Sequence, residues 1–175
     1  MYASKLTWHD RIKMQMIPIL QALFLLAIAN GTPVIIKKIF GSHLAMPLDA
    51  GARFLDGQPL FGRSKTARGA VSSIVVTAGL APLVALSFGT GALVATFAMI
   101  GDLFSSFIKR RLRFRPSSQA VGLDQIPESL CPLLLCRSML GLTFTDIALC
   151  VGMFLVGELI ISRLLYRLRI RDQPY

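Results

Sequence analysis

Acidic residues and histidines are scarce in this chain. Nine Asp and Glu stand against nineteen Lys and Arg, and only His9 and His43 represent histidine. Two isolated histidines do not make a histidine metal centre. Cys131, Cys136 and Cys150 lack the paired spacing of a zinc site or redox motif, and their apolar surroundings mark them as inert buried thiols. Charge of both signs is sparse, at 16% of residues against 54% hydrophobic, with a mean hydropathy of +0.62. A soluble domain of 175 residues is normally more charged and less apolar. Internal repeats and low-complexity stretches are absent from the sequence, and the first apolar run has no small-residue cleavage site of the kind that ends a signal peptide.

What is present is a series of apolar windows that approach the ~20 residues a helix needs to cross a bilayer. They fall at 14–29, 70–87, 90–108, 129–145 and 147–165. The first contains Pro18, which bilayer helices tolerate. It is expected to end at the turn Asn30-Gly31-Thr32-Pro33, opening a polar loop to Arg68 that holds Lys37, Lys38, Arg53, Arg63, Lys65 and Arg68 against Asp49 and Asp56. The second and third windows read as a hairpin turning at Phe88-Gly89. A second basic segment follows from Lys109 to about Gln125. The fourth window is the weakest and carries Arg137, and the tail adds Arg163, Arg167, Arg169 and Arg171.

Five crossings put both basic loops and the tail on one side, which the positive-inside rule makes the cytoplasm, with the N-terminus outside. Lys5, Arg11 and Lys13 run mildly against that orientation. The expectation is an all-α integral membrane protein of the cell membrane, one domain over 1–175, with about five transmembrane helices and two basic cytoplasmic loops. The net charge of +10 then reflects retained loops and not nucleic-acid binding, with part of it available to anionic head groups or a polyphosphate.

The chemistry gathers where the third window ends. Asp102, Ser105, Ser106, Lys109 and Arg110 are spaced by three, four, seven and eight residues from Asp102, so they share one helix face. Asp102 lies roughly 10 Å along the axis from Lys109, at ~1.5 Å per residue. An ionisable group at that depth faces protein or a wet cavity. Asp124 follows Gly122 just before the chain re-enters the bilayer, and Glu128 comes four residues later. Carboxylates beside a basic cluster suit a hard cation such as Mg²⁺ bound together with phosphate oxygens, while Lys and Arg take up the remaining phosphate charge. Gly57 and Gly62 have the opening spacing of a P-loop, but Arg63-Ser64 follow where Lys-Ser/Thr belongs and no strand precedes them, so a Walker motif is not expected. The segment reads either as a basic loop that folds over phosphates through Lys65 and Arg68 or as a positive-inside loop with turn residues. Asp146 is expected to begin the last helix near the outer surface, and the deeper Glu158 to pair with a nearby Arg.

These residues resemble the CDP-archaeol synthase family, membrane relatives of phosphatidate cytidylyltransferases. The resemblance runs through Ala29-Asn30-Gly31-Thr32-Pro33, Pro47-Leu48-Asp49, Phe61 to Gly69, Gly101-Asp102-Leu103 with Ser106 to Arg110, and Gly122-Leu123-Asp124-Gln125. It implies a five-span enzyme that uses CTP and Mg²⁺ to convert a membrane lipid phosphate, digeranylgeranylglyceryl phosphate or phosphatidate, to a CDP-lipid with release of pyrophosphate. On that basis Asp102 and Asp124 would bind metal, Lys109 and Arg110 the triphosphate, with Lys65, Arg68 and Ser106 assisting and Asn30 and Asp49 in lesser roles. Where the family continues Asp-Gln-apolar-Asp, this chain has Pro127, and the neighbouring Glu128 is expected to take over part of the metal role. A small bundle of this kind can form a homodimer. Two other classes compete: a small transporter or channel subunit lined by Asp102, Arg137 and Glu158, and a non-catalytic membrane scaffold.

Overall fold

A computed structural model describes residues 8–114, 118 and 120–167, with the side chains of 8–15 and 165 left aside. Lys5, Arg115, Arg169 and Arg171 lie outside the described residues. The elements are helices α1 (Trp8–Phe40), α2 (Ala67–Leu80), α3 (Phe88–Arg111), α4 (Gln125–Leu135), α5 (Arg137–Leu140) and α6 (Phe144–Arg167), with a single 3-10 turn at Ala81–Val84. Among the described residues there are only two isolated β-bridges and no strand. Four helical stretches among the described residues are long and apolar enough to cross a membrane: Met16–Phe40, Ala67–Val84, Phe88–Arg111 and Phe144–Leu164.

The first helix does not end at Asn30. It runs on through Gly31 and Pro33 to Phe40, so the first loop begins at Gly41. Pro33 has no N–H for the carbonyl of Ala29, four residues back. That carbonyl instead accepts a hydrogen bond from Ser73 Oγ of α2 at 2.6 Å, in a buried position. A neighbouring helix thus supplies the missing donor, which is how a bilayer helix keeps a proline. The start of α2 packs here closely, with a Cβ on Gly69 placed 3.4 Å from that of Pro33.

The hairpin between α2 and α3 turns at 85–87, earlier than Phe88-Gly89. Pro82 opens the 3-10 turn, Ala85 takes a left-handed φ of 58°, and Gln21 of α1 donates to the Val84 carbonyl at 2.7 Å. Ser87 then caps α3 by accepting from Thr90 N at 3.0 Å.

The fourth predicted window is a broken helix. α4 and α5 together cover 125–140 with a break at Cys136, a run of roughly 24 Å at ~1.5 Å per residue. Gly141, with φ of 66°, ends it before α6. α4 descends along α3 so closely that a Cβ on Gly101 would lie 2.6 Å from the Pro127 carbonyl carbon and 2.8 Å from Glu128 Cα. Pro127 is accommodated because the first turn of a helix has no intrahelical acceptor for that N–H. The apolar centre joins α1, α3, α4 and α6 through Leu25, Leu26, Val94, Leu133, Cys136 and Cys150.

Candidate functional site

The polar stripe of α3 emerges at the end of the bundle where the loop 41–66 and the turn 120–124 converge. Three elements bring their charges together there. Lys65, at the end of the loop, places its ammonium 2.6 Å from both carboxylate oxygens of Asp102. Lys109, two turns further along the same face of α3, pairs with Asp124 Oδ1 at 2.6 Å and donates to the Ser118 carbonyl at 3.1 Å. Each lysine therefore bridges a different pair of elements. Burial alone would lower the pKa of Lys65, but the Asp102 charge and hydrogen bonds outweigh it and hold the ammonium above its ordinary value.

The turn that presents Asp124 is built locally. Gly122 adopts φ of +84°, a region that other residues rarely enter. Its N–H donates to Gln125 Oε1 at 2.8 Å, and Asp124 Oδ2 accepts from Ala120 N at 2.9 Å. Asp124 is thus fixed by one backbone bond and one ion pair. Glu128, one turn into α4, is 6% exposed, and its Oε1 has no hydrogen-bond partner among the described residues. It lies within electrostatic reach of Asp102, Asp124 and Lys65, and also of Glu158 on α6.

The donor set fits a hard divalent cation. Carboxylate oxygens are its preferred ligands, and Glu128 offers an unpartnered one at the meeting point of the lysine-paired aspartates. Among the described residues no three carboxylates, histidines or cysteines stand close enough to enclose a metal by themselves. A divalent cation here would therefore need ligands from outside the protein, such as phosphate oxygens, to complete its shell.

The other predicted residues fall into two groups. Arg110 is buried beside the same end of α3, donates to the Phe114 carbonyl at 2.9 Å and runs past Gly62 of the loop. Ser106 is buried on the same face. Arg68 turns elsewhere: its guanidinium bonds the carbonyls of His43 and Gly41 and sits 5.9 Å from the Phe40 ring, tying α2 to the end of α1. Asp49 is the pin of the loop, accepting N–H bonds from Gly51, Phe61 and Gly62 at 2.9–3.0 Å. Burial works against its charge, but those three bonds prevail and hold its carboxyl below the ordinary range. Asn30 sits within α1, its Nδ2 buried without a hydrogen-bond partner among the described residues.

Two residues of this end went unassigned in the sequence. Gly101 permits the close approach of α4, and its position beside Asp102 was the available signal. Arg111, in the basic segment that begins at Lys109, bonds Asp56 and the carbonyls of Gln58 and Pro59.

Comparison with known proteins places this arrangement. Residues 82–175 match the family model described as CarS-like, CDP-archaeol synthase. The chain is 37% identical over 121 residues to the CDP-archaeol synthase of Pyrococcus furiosus, covering 62% of this chain and 69% of that protein. It is 33% identical over 153 residues to that of Pyrobaculum calidifontis, covering 85% and 91%. It is also similar to a solved intramembrane enzyme for archaeal membrane lipid biosynthesis, with a TM-score of 0.69 at 28% identity over 82% of this chain and 91% of the other. The match spans the helix pair and turn that carry Asp102, Lys109, Asp124 and Glu128, and the chain belongs to the CDP-archaeol synthase family.

Proposed function

We propose that this protein is a CTP-dependent cytidylyltransferase that joins the cytidylyl group to an ether-linked isoprenoid lipid phosphate of the digeranylgeranylglyceryl type, releasing pyrophosphate. The observation that carries the proposal is the meeting of Lys65–Asp102 and Lys109–Asp124 beside the buried carboxylate Glu128. Family membership supplies the reaction class, and the named activity of the relatives supplies the lipid.

In this reading Lys65, Lys109 and Arg110 hold the triphosphate. The two lysines exchange their aspartate partners for phosphate oxygens as the nucleotide enters. Glu128 with one of the two aspartates, Asp102 or Asp124, would hold a Mg²⁺ ion completed by phosphate oxygens, which when bound would neutralise phosphate charge and polarise the α-phosphoryl group. A lipid phosphate oxygen then bonds to the α-phosphorus as the bond to the β-phosphate oxygen breaks, and pyrophosphate leaves with that electron pair. Little covalent work falls to the protein: its cations are positioned in advance where charge shifts during displacement. Ser105, buried against the Asp102 carbonyl at 2.9 Å, helps to fix the helix turn that presents the carboxylate.

The exposed apolar residues of α1, α2 and α6 would face the bilayer, and the lipid phosphate would reach the site from its head-group layer. With α4–α5 taken as the fifth crossing, the loop 41–66, the turn 120–124 and the C-terminus lie on the cytoplasmic side of the cell membrane, where CTP is made available. The ion pairs that join separate elements collect at that end, while Asp146 and Arg137 at the other end are satisfied within their own turns, which favours an enzyme over a conduction path.

The test is transfer of label from α-labelled CTP in detergent with Mg²⁺, offering digeranylgeranylglyceryl phosphate and phosphatidate separately. Label in the ether lipid fraction, and none with Asp102→Asn, is the expected result. Absence of transfer to either lipid by folded wild-type protein would overturn the proposal.

A further inference from the structure

Arg111 ends α3 one residue beyond the Lys109–Arg110 pair, and its side chain points into the loop 41–66. Its Nη1 bonds Asp56 Oδ1 at 2.7 Å, and its Nη2 donates to the carbonyls of Pro59 at 2.6 Å and Gln58 at 3.3 Å. Its guanidinium carbon lies 4.8 Å from the ring centres of both Phe54 and Phe107. Those rings meet edge to face at 5.3 Å, one from the loop and one from α3. The Asp56 carboxylate is 40% exposed, so the ion pair contributes little on its own. The carbonyl bonds and the two aromatic walls are the substance of the contact, and they need a planar fork that lysine lacks.

From this clamp a continuous set of bonds leads to Lys65. Residues 53–59 form a closed hairpin, with Phe54 N bonded to the Gln58 carbonyl at 2.9 Å and Leu60 N to the Ala52 carbonyl at 3.1 Å. Asp49 ties the base of the hairpin, through Gly51, to Phe61 and Gly62. Lys65 N donates to the Gly62 carbonyl at 3.2 Å, and its own carbonyl accepts from Leu48 N at 2.8 Å. Lys65 is thus carried on a loop whose far side is fastened to the same helix that carries its partner Asp102.

We infer that Arg111 is a positioning residue for nucleotidyl transfer: it clamps the 53–59 hairpin to the end of α3 and so holds the Lys65 ammonium at Asp102. The inference rests on the cytidylyltransferase reading given above, and it assigns Arg111 no contact with the nucleotide. A cation at the end of a loosened loop would still be present but no longer placed, and misplacement by about 1 Å is enough to weaken a site of this kind on the order of 100-fold.

The experiment compares Arg111→Ala, Arg111→Lys, Lys65→Ala and the Lys65→Ala, Arg111→Ala double variant in detergent, with Phe54→Ala as a milder loosening of the same clamp. Expected are a rise in KM for CTP of about tenfold in Arg111→Ala, equivalent to ~1.4 kcal/mol of lost binding, with a smaller change in kcat. Arg111→Lys should fail to restore it. The double variant should be no worse than Lys65→Ala alone, because Arg111 acts through Lys65. Losses that multiply in the double variant, or full rescue by lysine, would overturn the inference. Limited proteolysis supplies a readout independent of activity: cleavage within 41–66 should quicken in Arg111→Ala and Phe54→Ala at unchanged global unfolding temperature. Unaltered cleavage in both would overturn the clamp. Wild-type protein that transfers no label would instead refute the activity, while the cleavage rates still decide whether the clamp exists.

Discussion

The two ends of the bundle hold the same kinds of charged residue and use them in different ways. At the far end, Asp146 is consumed within its own turn. Its Oδ2 accepts from Thr143 N at 2.8 Å and Thr143 Oγ1 at 2.7 Å, while Asp146 N donates to Thr143 Oγ1 at 3.2 Å, a reciprocal cap that starts α6. Arg137 is also settled locally, donating to the Leu142 carbonyl at 3.0 Å and lying 4.1 Å from the Phe144 ring centre. At the site end, by contrast, Lys65–Asp102 and Lys109–Asp124 join residues from separate elements, and Glu128 retains an unpartnered oxygen. Local satisfaction stabilises a helix terminus. Pairing across elements gathers carboxylates and cations at one place, where incoming phosphate and metal can exchange with them.

The sharpest way to break that contrast is Asp102→Asn. It removes the partner of Lys65 and a metal-binding oxygen together, and label transfer should fall at least about 100-fold, since electrostatic groups of this kind commonly contribute that much. Gly101→Ala attacks the packing beneath the same site. The added methyl would meet the Pro127 and Glu128 backbone, so α4 must move, costing about 1–3 kcal/mol in unfolding measurements and displacing Glu128 from Asp102. Glu128→Gln keeps the shape and alters the charge. The Mg²⁺ concentration for half-maximal transfer should rise about tenfold, and an unchanged Mg²⁺ dependence would remove Glu128 from the metal role. The smallest effect belongs to the far end: Asp146→Ala should cost ~1 kcal/mol of stability, lowering the unfolding temperature by about 2–4 °C, with transfer within about twofold of wild type.

How much of this was legible in the sequence follows from how local each feature is. The stripe Asp102, Ser105, Ser106, Lys109 and Arg110 depends only on helical spacing, and α3 presents it as that spacing requires. The turn at Gly122 and the cap at Asp146 are equally short-range. The extension of α1 past Pro33 was not legible, because the Ala29 carbonyl that the proline leaves unpaired is taken by Ser73, 44 residues away. The broken fourth segment escaped for a related reason. Its hydropathy is continuous across Cys136, and the break is visible only in the backbone. Across the loop 41–66 and the start of α2, Lys65 and Arg68 read alike as phosphate contacts, yet each goes to a different partner. Lys65 reaches Asp102, while Arg68 secures the end of α1. Asp49 illustrates the same limit, since a carboxylate in a glycine-rich loop can bind metal or backbone, and here three N–H groups take it. Family resemblance pointed to Lys65, Asp102, Lys109 and Asp124, which the fold pairs across elements, and to Arg68 and Asp49, which bond backbone elsewhere; the structure added how the loop that delivers Lys65 is fastened.

In the proposed reading one end of the bundle receives a metal-bound nucleotide and the other does not. Equilibrium binding of a fluorescent CTP analogue with Mg²⁺ to wild type, Lys109→Ala and Arg137→Ala in detergent tests it most directly. Lys109→Ala should lose affinity by at least about tenfold, as expected when a charge-assisted phosphate contact is removed, while Arg137→Ala should bind as wild type does. Equal loss in both variants, or retention of wild-type affinity by Lys109→Ala, would contradict it.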